Sequence, residues 1–222
     1  MKKLIDLTHT IDPKAAGRKF EAKIIGANEV NPNVIRLENQ WYIMHDISMV
    51  NHLGTHIEAP YHLFKDGIDL SEIPLEALCG DAVLLDLRGF AADYPITVSD
   101  LEKAAAKAGG IRKGDIVLCN LGFADIYGTP EYDKRPYFAN EAIVWLCEGG
   151  MKMMGVDAGG VEIPQNEEHV NHAALLSRNI PLIENVANLN ALPCARVKIY
   201  AFPISMKTID SFPLRVVAEV KE

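Results

Sequence analysis

Two short apolar runs, Asp81–Leu87 (DAVLLDL) and Asp115–Leu121 (DIVLCNL), flank a well-marked helix, and this unit constrains the fold more than any other stretch. Runs of this length without polar alternation suit strands buried on both faces. The helix between them is marked at both ends. Thr97 with Asp100 three residues on resembles a capping box, Leu101 and Ala104 to Ala106 suit its interior, and Gly109–Gly110 supplies the stop. The pattern returns at Asn140, where NEAIVWLCEGG predicts a second helix ending on a glycine pair and leading into a strand at Met153–Asp157. His169–Arg178 reads as helix; Lys3–Leu7, Tyr42–Met49, Pro181–Glu184, Val197–Phe202 and Leu214–Val220 read as strands. The order predicts a mixed α/β fold. Pro13 to Gln40 carries few regular signals and is a candidate lid or substrate loop.

With 222 residues, 49% of them apolar, and no internal break or repeat, the expected organisation is one domain over residues 1–222. A formal net charge of −8 lacks the basic footprint that phosphate backbones select, so nucleic acids and anionic membrane surfaces are not expected partners. No apolar run approaches the roughly 20 residues that span a bilayer. The opening MKKLIDLTHTID turns acidic instead of continuing into a signal-peptide core. Cys79, Cys119, Cys147 and Cys194 have no close pairing, which predicts buried thiols in a reducing cytoplasm.

Chemistry concentrates in Asn51–His62 (NHLGTHIEAPYH), which holds three of the seven histidines and a glutamate. His52, His56, Glu58 and His62 all fall on even positions, so an extended strand would turn them toward one face. A straight strand is not enough. At roughly 3.3 Å per residue, positions 52 and 56 would stand about 13 Å apart, too far to share an ion. Gly54 allows the bend that would bring them together, and Pro60 keeps Ala59 extended and discourages a continuous helix. The segment therefore predicts a strand end or short turn converging on a metal.

His52-Leu-Gly54-Thr55-His56-Ile-Glu58-Ala-Pro60-Tyr-His62 resembles the HxGTHxDxPxH signature of the cyclase-like metal-dependent hydrolases, which include bacterial kynurenine formamidase and isatin hydrolase. Asp6-Leu-Thr-His9, LEALCGDAVLLDL, GDIVLCNLGF, MGVDAGGVE and the stretch from His172 to Asn185 extend the likeness along nearly the whole chain. The resemblance implies a compact α/β domain of the swivelling β/β/α type, a homodimer or higher oligomer, and a small-molecule substrate. It implies that His52, His56, Glu58, His172 and Glu184 are metal ligands and that His62 is the catalytic proton shuttle. The cofactor would be zinc or manganese, one or two ions per chain, because imidazoles and carboxylates suit both metals. Such an ion lowers the pKa of its bound water and supplies hydroxide near neutrality to attack an amide, lactam or lactone carbonyl. The alternatives are a metal-dependent lyase or dehydratase, and a non-catalytic metal-binding member of the fold. The chain departs from the pattern at Glu58, where an aspartate is usual, at GRKFEAK, which lacks a tryptophan, and at Asn120-Leu-Gly122-Phe123 in place of an RTGW-like string.

Other readings stand beside these. His9 and His45 read as ordinary surface or core histidines. His169, one turn before His172, could ligate in its stead, although the likeness favours His172. Glu184, at the end of IPLIE, would need a partner on entering a core; an ion, a lysine or an arginine would serve. Asp157 reads as the start of a turn.

Overall fold

The computed structural model describes residues 2–12, 17–35, 37–164 and 168–221. Its strands are β1 (Lys2–Asp6), β2 (Phe20–Gly26), β3 (Ile43–Met49), β4 (His56–Glu58), β5 (Cys79–Asp86), β6 (Pro95–Ile96), β7 (Ile116–Asn120), β8 (Tyr137–Phe138), β9 (Met153–Val156), β10 (Leu182–Glu184), β11 (Arg196–Tyr200), β12 (Ser211–Pro213) and β13 (Val217–Lys221). The helices are α1 (Ala27–Val30), α2 (Val98–Lys107), α3 (Asn140–Glu148) and α4 (Val170–Leu176). Helix α2 begins as its sequence demands: the Thr97 hydroxyl accepts from the Asp100 amide, and Asp100 Oδ2 accepts from the Thr97 amide at 3.1 Å. It stops where Gly109 and Gly110 take left-handed φ values of 84° and 87°.

Nine strands form one mixed sheet in the order β1-β13-β11-β5-β7-β9-β10-β4-β12. Strands β5, β7, β9 and β10 are parallel neighbours, while the flanking pairings are antiparallel. The apolar runs are buried on both faces, as their lack of alternation predicts. Val117 and Cys119 of β7 join the core beneath α2, α3 and α4, whereas Ile116 and Leu118 join a second core lined by Leu7, Ile57 and Ile199. A side chain such as Leu118, fully buried, contributes about 2–3 kcal/mol by leaving water. Packing there is close enough that a Cβ on Gly155 would lie 2.7 Å from Leu118 Cδ2.

Three expectations need correction. The Pro13–Gln40 segment lies partly outside the described residues, at 13–16 and 36, and 31–35 and 37–40 carry only turns, but its middle is regular: β2 pairs with β3 from Phe20↔Met49 to Gly26↔Ile43, forming an arm, and α1 follows β2. Its strand character is hard to read because β2 packs on little but β3 and α1, so no buried face stamps a pattern on it. Not all the thiols are buried: Cys119 and Cys147 are, Cys79 is half-buried and Cys194 is exposed. Strand β12 has no counterpart among the predicted elements. Among the described residues, no helix is long and apolar enough to cross a membrane.

Candidate metal centre

The fold brings His52, His56, Glu58, His62, His172 and Glu184 together. In open α/β sheets, ligands gather beyond the carboxyl ends of parallel strands, and Glu184 closes β10 at that end. Strand β4 lies beside it, antiparallel, with His56 directly opposite Glu184. Two residues on, Glu58 points to the same side. Gly54, at φ 61°, makes the bend that returns His52 toward His56, so their ring centroids stand 5.0 Å apart. A Cβ on Gly54 would meet Ile11 Cγ1 at 2.9 Å, so position 54 has both conformational and steric reasons to be glycine. Asn185 clamps this bend: its side chain donates to the Gly54 carbonyl at 2.9 Å and accepts from the Tyr132 hydroxyl. Pro60 opens a short 3-10 turn that carries His62 back over the cluster.

Each of the four histidines has one ring nitrogen held by an oxygen acceptor. His56 Nδ1 donates to the Gly54 carbonyl at 2.9 Å, and His172 Nδ1 meets Glu162 Oε1 at 3.1 Å. His52 Nε2 and His62 Nδ1 meet the same oxygen, Asp210 Oδ2, at 2.8 and 2.9 Å. The other nitrogens all turn toward Glu58. His52 Nδ1, His56 Nε2 and His62 Nε2 lie 2.9, 3.6 and 3.9 Å from its Oε1, and His172 Nε2 lies 3.3 Å from its Oε2. Glu184 closes the ring, with Oε1 3.4 Å from His172 Nε2 and Oε2 3.5 Å from His56 Nε2.

These separations suit a cation. Ligands each about 2.0–2.2 Å from one tetrahedral ion stand roughly 3.4 Å from one another. Among the described residues the buried atoms His56 Nε2 and Glu58 Oε2 have no hydrogen-bond partner, an arrangement costly to bury unless something else satisfies them. Four sets of donor atoms among the described residues lie close enough to share an ion: the donor groups His52–His56–Glu58 and Glu58–His172–Glu184, which share Glu58, and beside them His52–His62–Asp210 and Glu162–His169–His172.

The electrostatics agree. Burial opposes protonation of His172, but Glu162, Glu184 and Glu58 outweigh it and push its pKa up to about 12. Burial also works against ionised Glu58, yet contacts with His172, His52 and His56 hold its carboxyl well below the usual range. For Asp210, likewise, the His52 and His62 contacts overcome burial and bring the pKa down to about 2. The neighbouring carboxylates thus favour the protonated forms of His172 and His52, and an ion in the cluster would displace those protons.

His169 lies at the exposed rim, its ring edge-on to His172 at 5.4 Å and a donor atom within 4.8 Å of those of Glu162 and His172. His45 sits on the exposed side of the arm, while His9 stacks on Tyr127 at 4.3 Å near the bend. Asp157 holds the 121–123 loop by accepting from the amides of Leu121, Gly122 and Phe123 at 2.6, 2.9 and 2.9 Å. Two residues with no role assigned from sequence orient the histidines. Glu162 holds His172 and also accepts from its backbone amide at 2.9 Å. Asp210 holds both His52 and His62. Their signal is weak because each is a single carboxylate, 10 residues from its histidine for Glu162 and 148 or more for Asp210. Beside the cluster, a cavity of about 330 Å³ is lined by His52, His56, Glu184, Arg18, Tyr127 and Tyr132, among others. That volume suits a small molecule.

A family model described as "Putative cyclase" matches residues 5–163. The chain belongs to the cyclase family. Among curated relatives, it is 28% identical over 165 residues to a kynurenine formamidase from Erythrobacter litoralis, covering 74% of this chain and 71% of that protein. A kynurenine formamidase from Bacillus anthracis is 25% identical over 171 residues, covering 77% of each. Isatin hydrolase A from Labrenzia aggregata, solved bound to benzyl benzoate, superposes with a TM-score of 0.85 at 26% identity over 100% of this chain and 94% of that one. A potential metal-dependent hydrolase with cyclase activity gives a TM-score of 0.76 at 26% identity, with both chains covered completely. These likenesses agree with the mixed α/β fold.

Proposed function

We propose that this cyclase-family chain is a metal-dependent hydrolase that cleaves the C–N bond of a small linear or cyclic amide. The observation that carries the reading is the convergence of four oriented histidine nitrogens and Glu184 on Glu58. The relatives supply the bond class, being formamidases and isatin hydrolases. The donors suit zinc or manganese, held by His52, His56, Glu58, His172 and Glu184, with Glu58 reaching both donor groups and so fitting two ions. When bound, such an ion activates water near neutral pH and polarises a carbonyl.

The chain's own residues do the rest. The cavity wall of Tyr127 and Tyr132 holds a flat substrate beside His52 and His56. His62 sits beside the cluster with about 29% of its side chain exposed, Nδ1 tied to Asp210 and Nε2 turned to the cluster. It takes a proton from the water that adds to the carbonyl carbon. It then gives that proton to the leaving nitrogen as the C–N bond breaks, releasing an amine and a carboxylic acid that ionises to the carboxylate. A lactone would follow the same course with an alcohol leaving. The test is turnover of N-formyl arylamines and five-membered lactams by the metal-reconstituted protein, with His62→Ala alongside. Full metal occupancy with lost turnover in the variant is the expected result; equal turnover in both would overturn the role of His62.

The protein works as a homo-oligomer in this proposal. The arm exposes Ile24, Ile35, Leu37, Met44 and Ile47, each more than 40% accessible, and a second copy of the chain is the occupant such a surface fits. A cytoplasmic location is supported by four cysteines without a disulfide among them.

A further inference from the structure

Asp210 precedes β12, and the register of that strand fixes its place: Ser211 lies opposite Glu58, and the Asp210 carbonyl accepts from the Ala59 amide at 2.8 Å. The residues before it are also pinned, since the Leu70 amide donates to the Ile209 carbonyl at 3.1 Å and the Thr208 amide to Asp69 Oδ2 at 2.6 Å. Its carboxylate is therefore held in place rather than left to swing in solvent. Oδ2 receives both His52 Nε2 and His62 Nδ1. Oδ1 receives the Asn51 side-chain amide at 2.6 Å, which also donates to the Ser211 carbonyl at 3.0 Å.

One oxygen thus serves two histidines with different tasks. A neutral imidazole carries one proton, and the nitrogen that keeps it is the one facing an acceptor. Both nitrogens of His52 face a carboxylate, Nε2 at 2.8 Å from Asp210 Oδ2 and Nδ1 at 2.9 Å from Glu58 Oε1, so once an ion takes the Nδ1 side, Asp210 is the acceptor that keeps the remaining proton on Nε2. His62 keeps its proton on Nδ1 and offers Nε2. We propose that Asp210 is a positioning residue that selects the working tautomer of a metal-binding histidine and of the proton-transferring histidine at once, coupling metal retention to turnover. The inference rests on the hydrolase reading for the His62 half and on the metal site alone for the His52 half.

The Asn51 contact provides a test. In Asp210→Asn the new amide has two orientations, and both are wrong. With its oxygen toward the histidines, its NH₂ opposes the Asn51 NH₂, donor against donor. Flipped, its NH₂ faces both histidines and favours their opposite tautomers. Adding Asn51→Asp relieves the conflict at position 210, because the carboxylate introduced at position 51 accepts from the amide NH₂ at position 210 and leaves the amide oxygen for both histidines; it gives up the Asn51 donor to the Ser211 carbonyl, so recovery is partial. Each variant is first checked for cooperative melting and an unchanged circular dichroism spectrum. Metal affinity is then measured by competition with a chromogenic chelator, and kcat and KM are measured on an arylformamide.

D210N is expected to bind zinc roughly 10- to 100-fold more weakly. At saturating metal its kcat should be at least about 100-fold lower, with KM little changed. The N51D/D210N double variant should recover at least about tenfold in both affinity and kcat. Wild-type affinity and kcat in D210N would overturn the proposal, as would a double variant no better than D210N. If the unaltered protein turns over no amide, the hydrolase reading fails separately, and chelator competition still decides whether Asp210 orients His52.

Discussion

The metal centre and the β2–β3 arm each place residues where a folded chain usually does not, in opposite directions. The centre buries ionisable groups, with His56 and Glu58 each 2% exposed, while the arm leaves large apolar residues in water, Ile35 at 85% and Leu37 at 62%. Each arrangement is costly for the isolated chain and is relieved by something outside it. For the centre that partner is a small cation, because the unsatisfied atoms are donor lone pairs at metal-ligand spacing. For the arm, in the oligomer proposed above, it is a second copy of the chain, because the uncovered area is apolar and spread along a hairpin. Stability and function separate along this line. Losing the ion should disable the protein, whereas losing the neighbour should leave each chain folded.

Glu58→Ala should have the greatest consequence, because it removes the carboxylate shared by both donor groups. Turnover should fall below detection and metal content to background; activity with metal retained would show that Glu58 is not central. His62→Ala should cut kcat by about 10²- to 10⁴-fold while the metal content stays whole, as read by steady-state kinetics beside elemental analysis. Stripping the metal comes next. At free ion about 1,000-fold above its dissociation constant, binding adds roughly 4 kcal/mol, which for a chain of this size is about 8–16 °C in Tm by calorimetry.

A pH series probes the centre without touching the arm. In the metal-free protein the His172 pKa is raised from 6.5 to about 12, so its contribution to stability is full below about 6.5 and drains away as pH climbs toward 12. Asp210, lowered from 3.8 to about 2, contributes above 3.8 and loses that contribution as pH falls toward 2. The metal-free Tm should therefore decline between pH 6.5 and 9. Over the same range the gap to the loaded protein should widen, because protons no longer compete with the ion. A metal-free Tm that rises over this range would contradict the charge balance described for the cluster. The arm should respond least. Ile47→Ser should lower the mass seen by light scattering while changing the stability of each chain by no more than about 0.5 kcal/mol.

How much of this could be read from the sequence follows the same division. The β5–α2–β7 unit was readable because Thr97, Asp100 and Gly109–Gly110 act locally and because strands buried on two faces carry unbroken apolar runs. The 52–62 segment was readable for the same reason: its histidines, its glutamate and the Gly54 bend lie within eleven residues. Glu184 and His172 needed the family likeness to single them out. Asp210 and Glu162 were not assigned a role, since a lone carboxylate carries no pattern and each gains its task only when the chain returns from afar. Strand β2 was missed because the chain gives it no buried face, so its apolar residues follow no periodicity that its own fold requires.

Elemental analysis by plasma mass spectrometry, on untagged protein purified without chelator from metal-replete cells, decides whether the cluster is a metal centre. The geometry calls for at least one equivalent of zinc or manganese per chain, close to two if Glu58 joins both donor groups. Metal at background, even after reconstitution with either ion, would contradict it and leave the six converging side chains as a buried ion-pair network on an enzyme's fold.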